Sequence, residues 1–229
     1  MSLTGKRVAI TGAFGSLGTA VAQAALAAGA KVAAIDRADA PGAGVDLGDA
    51  QRFGGVDLAD DGVAKAVLAA AAEALGGLDA LVNIAGTFRW ETLADGNPGT
   101  WDFLYRINLR TAVAASKAAL AHLPDGGRIV NIGAASALKA GAGMGAYAAS
   151  KSGVMRFTES LAEELKARGI TVNALLPSII DTPPNRQDMP KADFDKWVKP
   201  AQLADVIVFL LSDRASAITG ALIPVVGRV

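Results

Sequence analysis

The sequence predicts one α/β domain built on a doubly wound parallel sheet with helices on both faces. Short β-branched or aliphatic runs alternate with alanine-rich helical stretches along the chain, an alternation typical of parallel sheets. The predicted strands are apolar throughout, as expected when both faces of a sheet are covered. Because 229 residues with 52% hydrophobic side chains can fill one large core, residues 1–229 are assigned to a single domain.

The elements follow in order along the chain. In the first half the patterns predict strands over 7–11 and 31–36, a short strand ending near residues 56–57, and helices over 17–29 and 61–77, the second ending at a glycine pair. In the second half they predict strands over 78–86, 127–133, 170–177 and 220–226, and helices over 100–123, 145–169 and 200–212. Thr100 is the expected N-cap of the helix over 100–123.

The least regular segment is 178–200, where prolines 183, 184 and 190 restrict the backbone. A long excursion of this kind inside a compact domain is usually functional. We interpret 178–200 as a substrate lid with Trp197 as its apolar anchor. A static surface or dimer loop is the alternative.

Composition excludes several classes of function. The formal net charge is zero and no basic block occurs, so neither nucleic acid nor an anionic membrane is an expected partner. The chain has no cysteine and one histidine, His122, so we expect neither a thiol nucleophile nor a metal site. The apolar run after Arg7 is too short for a signal peptide or a membrane span, so a cytoplasmic location is expected.

The segment AITGAFGSLGTA lies between the first strand and the first helix. Glycines 12, 15 and 18 would let backbone N–H groups approach a pyrophosphate at the helix N-terminus, as in a Rossmann-type dinucleotide site. Asp36 ends the second strand, where a carboxylate accepts hydrogen bonds from the adenosine ribose and repels a 2′-phosphate. NAD(H) is therefore favoured, whereas the neighbouring Arg37 keeps NADP(H) as an alternative.

Tyr147 and Lys151 are four residues apart on a predicted helix and therefore share one face. An ammonium group beside a phenol favours the phenolate, so Lys151 is expected to lower the pKa of Tyr147. A tyrosine of this kind can donate or accept a proton during a hydride transfer.

These motifs resemble the short-chain dehydrogenase/reductase family, and the resemblance covers nearly the whole chain. It implies an oxidoreductase that transfers a hydride between a nicotinamide and a small substrate, with Tyr147 as the proton donor or acceptor. Lys151 would hold the nicotinamide ribose, and Asn108 would support a proton-relay water. The implied cofactor-binding residues are Thr11, Gly12, Phe14, Gly15, Ser16, Leu17, Gly18, Asp36, Arg37, Asp57, Leu58, Asn83, Ala85, Gly86, Tyr147, Lys151, Pro177, Ile179 and Thr182.

One catalytic position departs from the family pattern. Most relatives have a serine 13 residues before the tyrosine, and here that position is Ala134. Ser136 is a candidate replacement, because residues two apart in a strand point to the same side. The alternative is a site with no second hydroxyl. The dihydropteridine reductase branch of the family resembles this chain in that respect and in the segment LPSIIDTPPNRQDMPKADFDKW, which implies a dihydropterin-like heterocycle as substrate.

The remaining expectations concern substrate contacts, assembly and competing functions. The candidate substrate-binding residues are Ala134, Phe88, Trp90, Arg186 and Trp197. The resemblance implies a homodimer or homotetramer formed through the helices that start near Trp101 and Tyr147, which carry Ala114, Ala115 and Ala118. A reductase or dehydrogenase of a small ketone or alcohol that uses Ser136, and a non-catalytic NAD(H)-binding regulator, are the alternative functions.

Overall fold

The computed structural model describes all 229 residues and contains one sheet of seven parallel strands in the order β3-β2-β1-β4-β5-β6-β7. The strands are β1 (Arg7–Thr11), β2 (Lys31–Ile35), β3 (Gln51–Phe53), β4 (Ala80–Asn83), β5 (Arg128–Ile132), β6 (Thr171–Pro177) and β7 (Leu222–Val225). The doubly wound sheet predicted from the alternating pattern is therefore confirmed. The third strand lies three residues earlier than predicted, because 56–57 belong to the loop before the next helix.

Helices cover both faces of the sheet. They are α1 (Ser16–Ala27), α2 (Asp61–Leu75), α3 (Gly99–Leu104), α4 (Thr111–Ala119), α5 (Gly145–Glu164), α6 (Pro183–Asp188) and α7 (Pro200–Leu211). One core cluster packs α1 and α7 against one face, and the other packs α2, α4 and α5 against the opposite face. None of these helices combines the length and the apolar character that crossing a bilayer requires.

The helix predicted over 100–123 is interrupted in the structure. A π-helical turn over Tyr105–Arg110 separates α3 from α4, and the N-cap of α3 is Pro98 rather than Thr100, which is buried in the first turn. Single π turns inside helices are often found at functional sites. This turn contains Asn108, one of the predicted site residues.

The carboxyl ends of the central strands meet at one edge of the sheet. Thr11 pairs with Asn83, and Asn83 with Asn131, so the loops after β1, β4 and β5 leave the sheet side by side. The chain order reverses between β1 and β4, where open α/β sheets form a ligand crevice. The glycine turn after β1 and Ala85 and Gly86 after β4, all predicted to bind a cofactor, come from these loops.

Candidate active site

A cleft of about 1420 Å³ lies at this carboxyl edge. Its walls come from the loops after five strands, from the π turn and its flanks, from α5 and from the segment 178–200. Of the predicted residues, the following line it: Gly12, Phe14, Gly15, Ser16, Leu17, Gly18, Asp36, Arg37, Asp57, Leu58, Ala85, Gly86, Phe88, Trp90, Ala134, Ser136, Tyr147, Lys151, Pro177, Ile179 and Thr182. The patterns chosen from the sequence thus converge on one cavity.

The backbone of the glycine turn after β1 packs closely against neighbouring backbone, as in a dinucleotide-binding turn. Gly12 has φ +67°, and a Cβ there would lie 2.7 Å from the Ala85 backbone nitrogen. A Cβ on Gly18 would lie 2.0 Å from the Gly12 carbonyl oxygen. Only glycine fits at either position, and the tight turn directs the N-terminus of α1 into the cleft, where a pyrophosphate can be bound.

Thr11 supports this turn from below and does not line the cleft, which corrects its predicted role as a cofactor contact. The residue is buried, and its Oγ1 accepts hydrogen bonds from the Ile84 and Ala85 backbone nitrogens at 3.1 and 3.2 Å. Thr11 therefore joins the end of β1 to the loop after β4.

Asp36 and Arg37 both line the cleft after β2. The two carboxylate oxygens of Asp36 accept hydrogen bonds from the backbone nitrogens of Phe14 and Ala38, each at 2.9 Å. The carboxylate is thus held beside the glycine turn, while its remaining lone pairs can accept from ribose hydroxyls.

Asp57 and Leu58 form the next part of the wall. A hydrogen bond from the Ala59 backbone nitrogen at 3.0 Å, and then an ion pair with Arg106 at 2.7 Å, lower the pKa of the Asp57 carboxyl. The carboxylate stays ionised at neutral pH and can accept a hydrogen bond from an adenine amino group.

Asn83, predicted as a cofactor contact, is instead buried within the sheet. Its Nδ2 donates to Ser116 Oγ at 3.0 Å and to Asn131 Oδ1 at 2.9 Å, so the amide links β4 to β5 and α4. Ala85 and Gly86, which follow it, do line the cleft. The side chain fails to reach the cleft because β4 extends through Asn83.

Tyr147 and Lys151 face the cleft from α5. Lys151 is buried and donates from Nζ to the Ile132 carbonyl oxygen at 2.8 Å, and burial lowers its pKa to about 8. Burial also raises the pKa of Tyr147 to about 12. The pKa of Tyr147 is therefore shifted in the direction opposite to the one expected from Lys151, because desolvation dominates at both side chains.

Asn108 lies behind the cleft wall. Its Oδ1 accepts from the Thr87 backbone nitrogen at 2.7 Å, and its Nδ2 donates to the Thr87 carbonyl oxygen and to Ser150 Oγ, each at 3.0 Å. The side-chain amide is thus committed to protein groups, and the support of a relay water by Asn108 stays a prediction. It joins the loop after β4 to α5.

Ala134 and Ser136 both line the cleft after β5. Ala134 is buried with an extended backbone, and Ser136 sits in a 3₁₀ turn over Ala135–Ala137. The turn shows that the strand does not continue as far as Ser136, so the two-residue alternation cannot place its hydroxyl. At the family's serine position the wall presents a methyl group.

Arg186 and Trp197 were predicted as substrate contacts, and neither lines the cleft. Arg186 pairs with Asp181, with Nε–Oδ1 at 2.5 Å, and its guanidinium lies 4.6 Å from the centre of the Phe194 ring. Trp197 is 4% exposed and packs against Phe194, with ring centres 4.8 Å apart. The buried tryptophan thus anchors the segment 178–200 to the protein core and does not face the cleft.

Several wall residues were missed by sequence reasoning. They are Phe103, Ile107, Thr111, Met144, Asn185, Asp188 and Met189. The first three lie on or next to the π turn, which a helical pattern does not distinguish from an α-helix. The last three belong to the predicted lid, where the residue types alone do not indicate which side chains face the cleft.

The chain is similar to known proteins over nearly its whole length. The family model described as Enoyl-(Acyl carrier protein) reductase matches residues 12–227. The chain is 34% identical to 2-(S)-hydroxypropyl-CoM dehydrogenase 3 of Xanthobacter autotrophicus, over 96% of this chain and 94% of that protein.

Among the solved structures that share the fold are two with a nicotinamide cofactor bound. A short chain dehydrogenase from Burkholderia cenocepacia in complex with NADP is 33% identical, with a TM-score of 0.86 over 99% of this chain and 98% of that one. A 3-ketoacyl-(acyl-carrier-protein) reductase from Brucella melitensis complexed with NADH is 29% identical, with a TM-score of 0.87 over the same shares, 99% and 98%. Both kinds of nicotinamide cofactor therefore occur among its structural neighbours.

Proposed function

This chain belongs to the short-chain dehydrogenase/reductase family and is an NAD(P)-dependent oxidoreductase, and on that basis we propose that it reduces a small conjugated substrate with Tyr147 as the single proton donor. The observation that carries the proposal is the methyl group of Ala134 in the cleft wall, where the family places a hydroxyl. A dihydropterin-like heterocycle is the first candidate substrate. The hydroxypropyl-CoM dehydrogenase and the ketoacyl reductase described above are named for other substrates, so this candidate rests on the residues of this chain.

The cofactor supplies or accepts the hydride when bound. The glycine turn and the N-terminus of α1 would hold its pyrophosphate, and Asp36 its adenosine ribose. We favour NAD(H), because the Asp36 carboxylate, fixed by two backbone N–H groups, would repel a 2′-phosphate. Pro177, Ile179 and Thr182 would line the nicotinamide end.

The protonation state of Tyr147 suits reduction. With a pKa raised to about 12, the phenol keeps its proton at neutral pH and can donate it to the atom on which negative charge develops. In a ketone this charge is concentrated on one oxygen, and losing a second donor costs about 3–4 kcal/mol in the transition state. In a conjugated ring the charge spreads, so a single donor is sufficient.

The alternative catalytic reading uses Ser136. This residue lines the cleft, so a local shift of the 3₁₀ turn would give a ketone or alcohol its second hydroxyl. A non-catalytic NAD(H)-binding regulator is the remaining alternative. It predicts tight NADH binding with no hydride transfer to any acceptor.

We further propose that 178–200 acts as the substrate lid and that the protein is a cytoplasmic homo-oligomer. The lid contributes Asn185 and Asp188 on α6, and Met189 directly after it, to the wall. Pairing through these helices would involve the exposed Trp101 on α3, Tyr105 in the π turn and Val113 on α4. Ala114 and Ala115, part of the predicted pairing surface, are buried inside the chain and cannot contribute to it.

The test follows NADH absorbance with purified protein and freshly generated quinonoid dihydropterin, using Tyr147→Phe as the control variant. We expect rapid oxidation that falls roughly 10²–10⁴-fold in the variant, while NADH binding persists. Equal rates in both proteins would rule out Tyr147 as the donor. If pterins are not reduced but ketones are, the alternative in which Ser136 supplies the second hydroxyl would replace the proposal.

A further inference from the structure

We infer that the substrate end of the cleft selects an uncharged, flat molecule and rejects one bearing a carboxylate, phosphate or sulfonate group. The inference rests on the proposed function, since it concerns the molecule that exchanges the hydride. It defines the substrate class by shape and charge, independently of whether the reacting group is a ketone or a conjugated imine.

The wall around Tyr147 is aromatic. The Phe88 ring meets the Tyr147 ring edge to face, with centres 4.9 Å apart and an interplanar angle of 84°. Phe88 is 50% exposed and Trp90 is 60% exposed, although both line the cleft. Exposed aromatic surface concentrated in a cavity is typical of a ligand site.

Trp90 is fixed in place rather than freely rotating. Its Nε1 donates to the Ala142 carbonyl oxygen at 2.9 Å, and the neighbouring Glu91 backbone nitrogen donates to the Gly143 carbonyl oxygen at 2.9 Å. A Cβ on Gly143 would lie 2.2 Å from the indole ring, so the loop packs directly against Trp90. Rigid aromatic walls complement a planar molecule better than a puckered one.

The same end of the cleft offers no free cation to an anionic substrate, since the Lys151 ammonium is buried and already donates to the Ile132 carbonyl oxygen. The basic side chains in the wall are Arg37, which lies at the adenosine end after β2, and Lys151, which is buried and hydrogen-bonded to Ile132. Two nearby arginines lie outside the wall. The Arg89 guanidinium lies 4.2 Å from the centre of the Phe103 ring, and Arg186 is paired with Asp181.

Asp188 adds a negative charge to this end. It is exposed on α6, lines the cleft and forms no salt bridge. The other wall carboxylates, Asp36 and Asp57, lie toward the adenosine end and are held by backbone groups. An anion at this end would therefore lose hydration without gaining a free cation as a partner, and the Asp188 carboxylate in the wall would disfavour it further.

The experiment compares acetophenone with 4-acetylbenzoate, two ketones of the same shape that differ in charge, with NADH as reductant. We expect kcat/KM to be at least tenfold higher for acetophenone. Asp188→Arg should lower the ratio of kcat/KM for acetophenone to that for 4-acetylbenzoate roughly fivefold, because the arginine attracts the carboxylate. The effect is modest, since a charge near water contributes little Coulomb energy. Asp195→Arg is the matched control, since Asp195 is exposed on the same segment and does not line the cleft.

Shape is tested with cyclohexyl methyl ketone, which matches acetophenone in size but has a puckered ring. A preference for acetophenone of at least threefold supports the flat slot, and equal kcat/KM values overturn that part of the inference. A kcat/KM for 4-acetylbenzoate that equals or exceeds the value for acetophenone overturns the charge selection. The charge selection is also overturned if Asp188→Arg and Asp195→Arg change the ratio of the two kcat/KM values equally.

Binding separates this inference from the proposed function. If none of the ketones is reduced, their affinities for the protein with NADH are measured through tryptophan fluorescence, in which the cleft residue Trp90 contributes. Tighter binding of acetophenone than of 4-acetylbenzoate supports the inference even though ketone reduction has failed. Equal or tighter binding of the carboxylate overturns it.

Discussion

Asn108 holds the Thr87 backbone through both of its polar groups: Oδ1 accepts from the Thr87 nitrogen at 2.7 Å, and Nδ2 donates to the Thr87 carbonyl oxygen at 3.0 Å. The same Nδ2 donates to Ser150 Oγ, which itself donates to the Tyr147 carbonyl oxygen at 2.8 Å. Thr87 precedes Phe88, whose ring contacts Tyr147. The π turn, the loop after β4 and the helix bearing Tyr147 are thus connected through one amide.

We expect Asn108→Ala to reduce both stability and activity. Removing a buried amide leaves the Thr87 backbone groups unpaired, at a cost of about 1–3 kcal/mol in the free energy of unfolding. It also releases the loop that places Phe88 against Tyr147, so kcat should fall roughly tenfold or more, since small misplacements are costly in catalysis. Urea unfolding and steady-state kinetics measure the two effects.

Asn173→Ala provides the matched control. Asn173 is also buried and bridges two backbone groups, donating to the Ile218 carbonyl oxygen at 2.7 Å and accepting from the Ala221 nitrogen at 3.1 Å. We expect a similar loss of stability with unchanged kcat at temperatures where the protein is folded. Equal kcat losses in both variants would show that Asn108 acts only through stability.

Restoring the missing hydroxyl should favour ketones. We expect Ala134→Ser to raise kcat for acetophenone by roughly tenfold or more, because a second donor would stabilise the developing oxyanion. Turnover of a conjugated substrate should change less, since its charge is spread over the ring. The ratio of the two rates is the measurement.

Ser136→Ala is the companion variant. If Tyr147 is the single donor, this change should alter ketone turnover by less than about threefold, within the range of a removed loop contact. Loss of turnover with intact NADH binding would identify Ser136 as the replacement hydroxyl and contradict the single-donor proposal.

Cofactor preference should depend on Asp36. Asp36→Asn removes the negative charge while keeping an oxygen that can accept from the Phe14 or Ala38 nitrogen. We expect the preference for NADPH over NADH, expressed as the ratio of their kcat/KM values, to rise about tenfold or more, because repulsion of the 2′-phosphate is relieved and Arg37 is adjacent. Asp39→Asn, outside the cleft wall, should leave the ratio unchanged. A similar shift in both variants would point to general surface charge.

Lys151 should reduce stability at neutral pH. Its folded-state pKa of about 8 lies below the ordinary 10.5, so between these values the unfolded chain binds more protons and stability rises with pH. Below pH 8 the folded protein carries the full cost of a buried charge. We therefore expect Lys151→Met to raise the free energy of unfolding at pH 7 by roughly 1–3 kcal/mol while removing activity.

Urea unfolding at pH 7, 8 and 9.5 checks this sign. The advantage of Lys151→Met should shrink as the pH rises toward 10.5, where the unfolded lysine also loses its proton. Lys117→Met, at an exposed position on α4, should show no such trend. A Lys151→Met variant that is less stable at pH 7 would mean that the hydrogen bond to Ile132 outweighs the desolvation.

Local patterns account for most of what could be predicted. The alternation of apolar strands and alanine-rich helices predicted the sheet, because burial on both faces requires that period. The tight turn at Gly12 and Gly18 and the four-residue spacing of Tyr147 and Lys151 depend only on neighbours in the chain. Their convergence on one edge then follows from the parallel topology.

The amino-acid sequence by itself thus determined the fold class, the dinucleotide turn and the alanine in place of a serine. The tertiary structure alone decided the π turn at Asn108, the burial of Trp197, the pairing of Arg186 with Asp181 and the raised pKa of Tyr147. Each of these depends on packing or desolvation between segments. A periodic pattern indicates which face of an element is buried, but not which neighbour it meets or how much water remains around it.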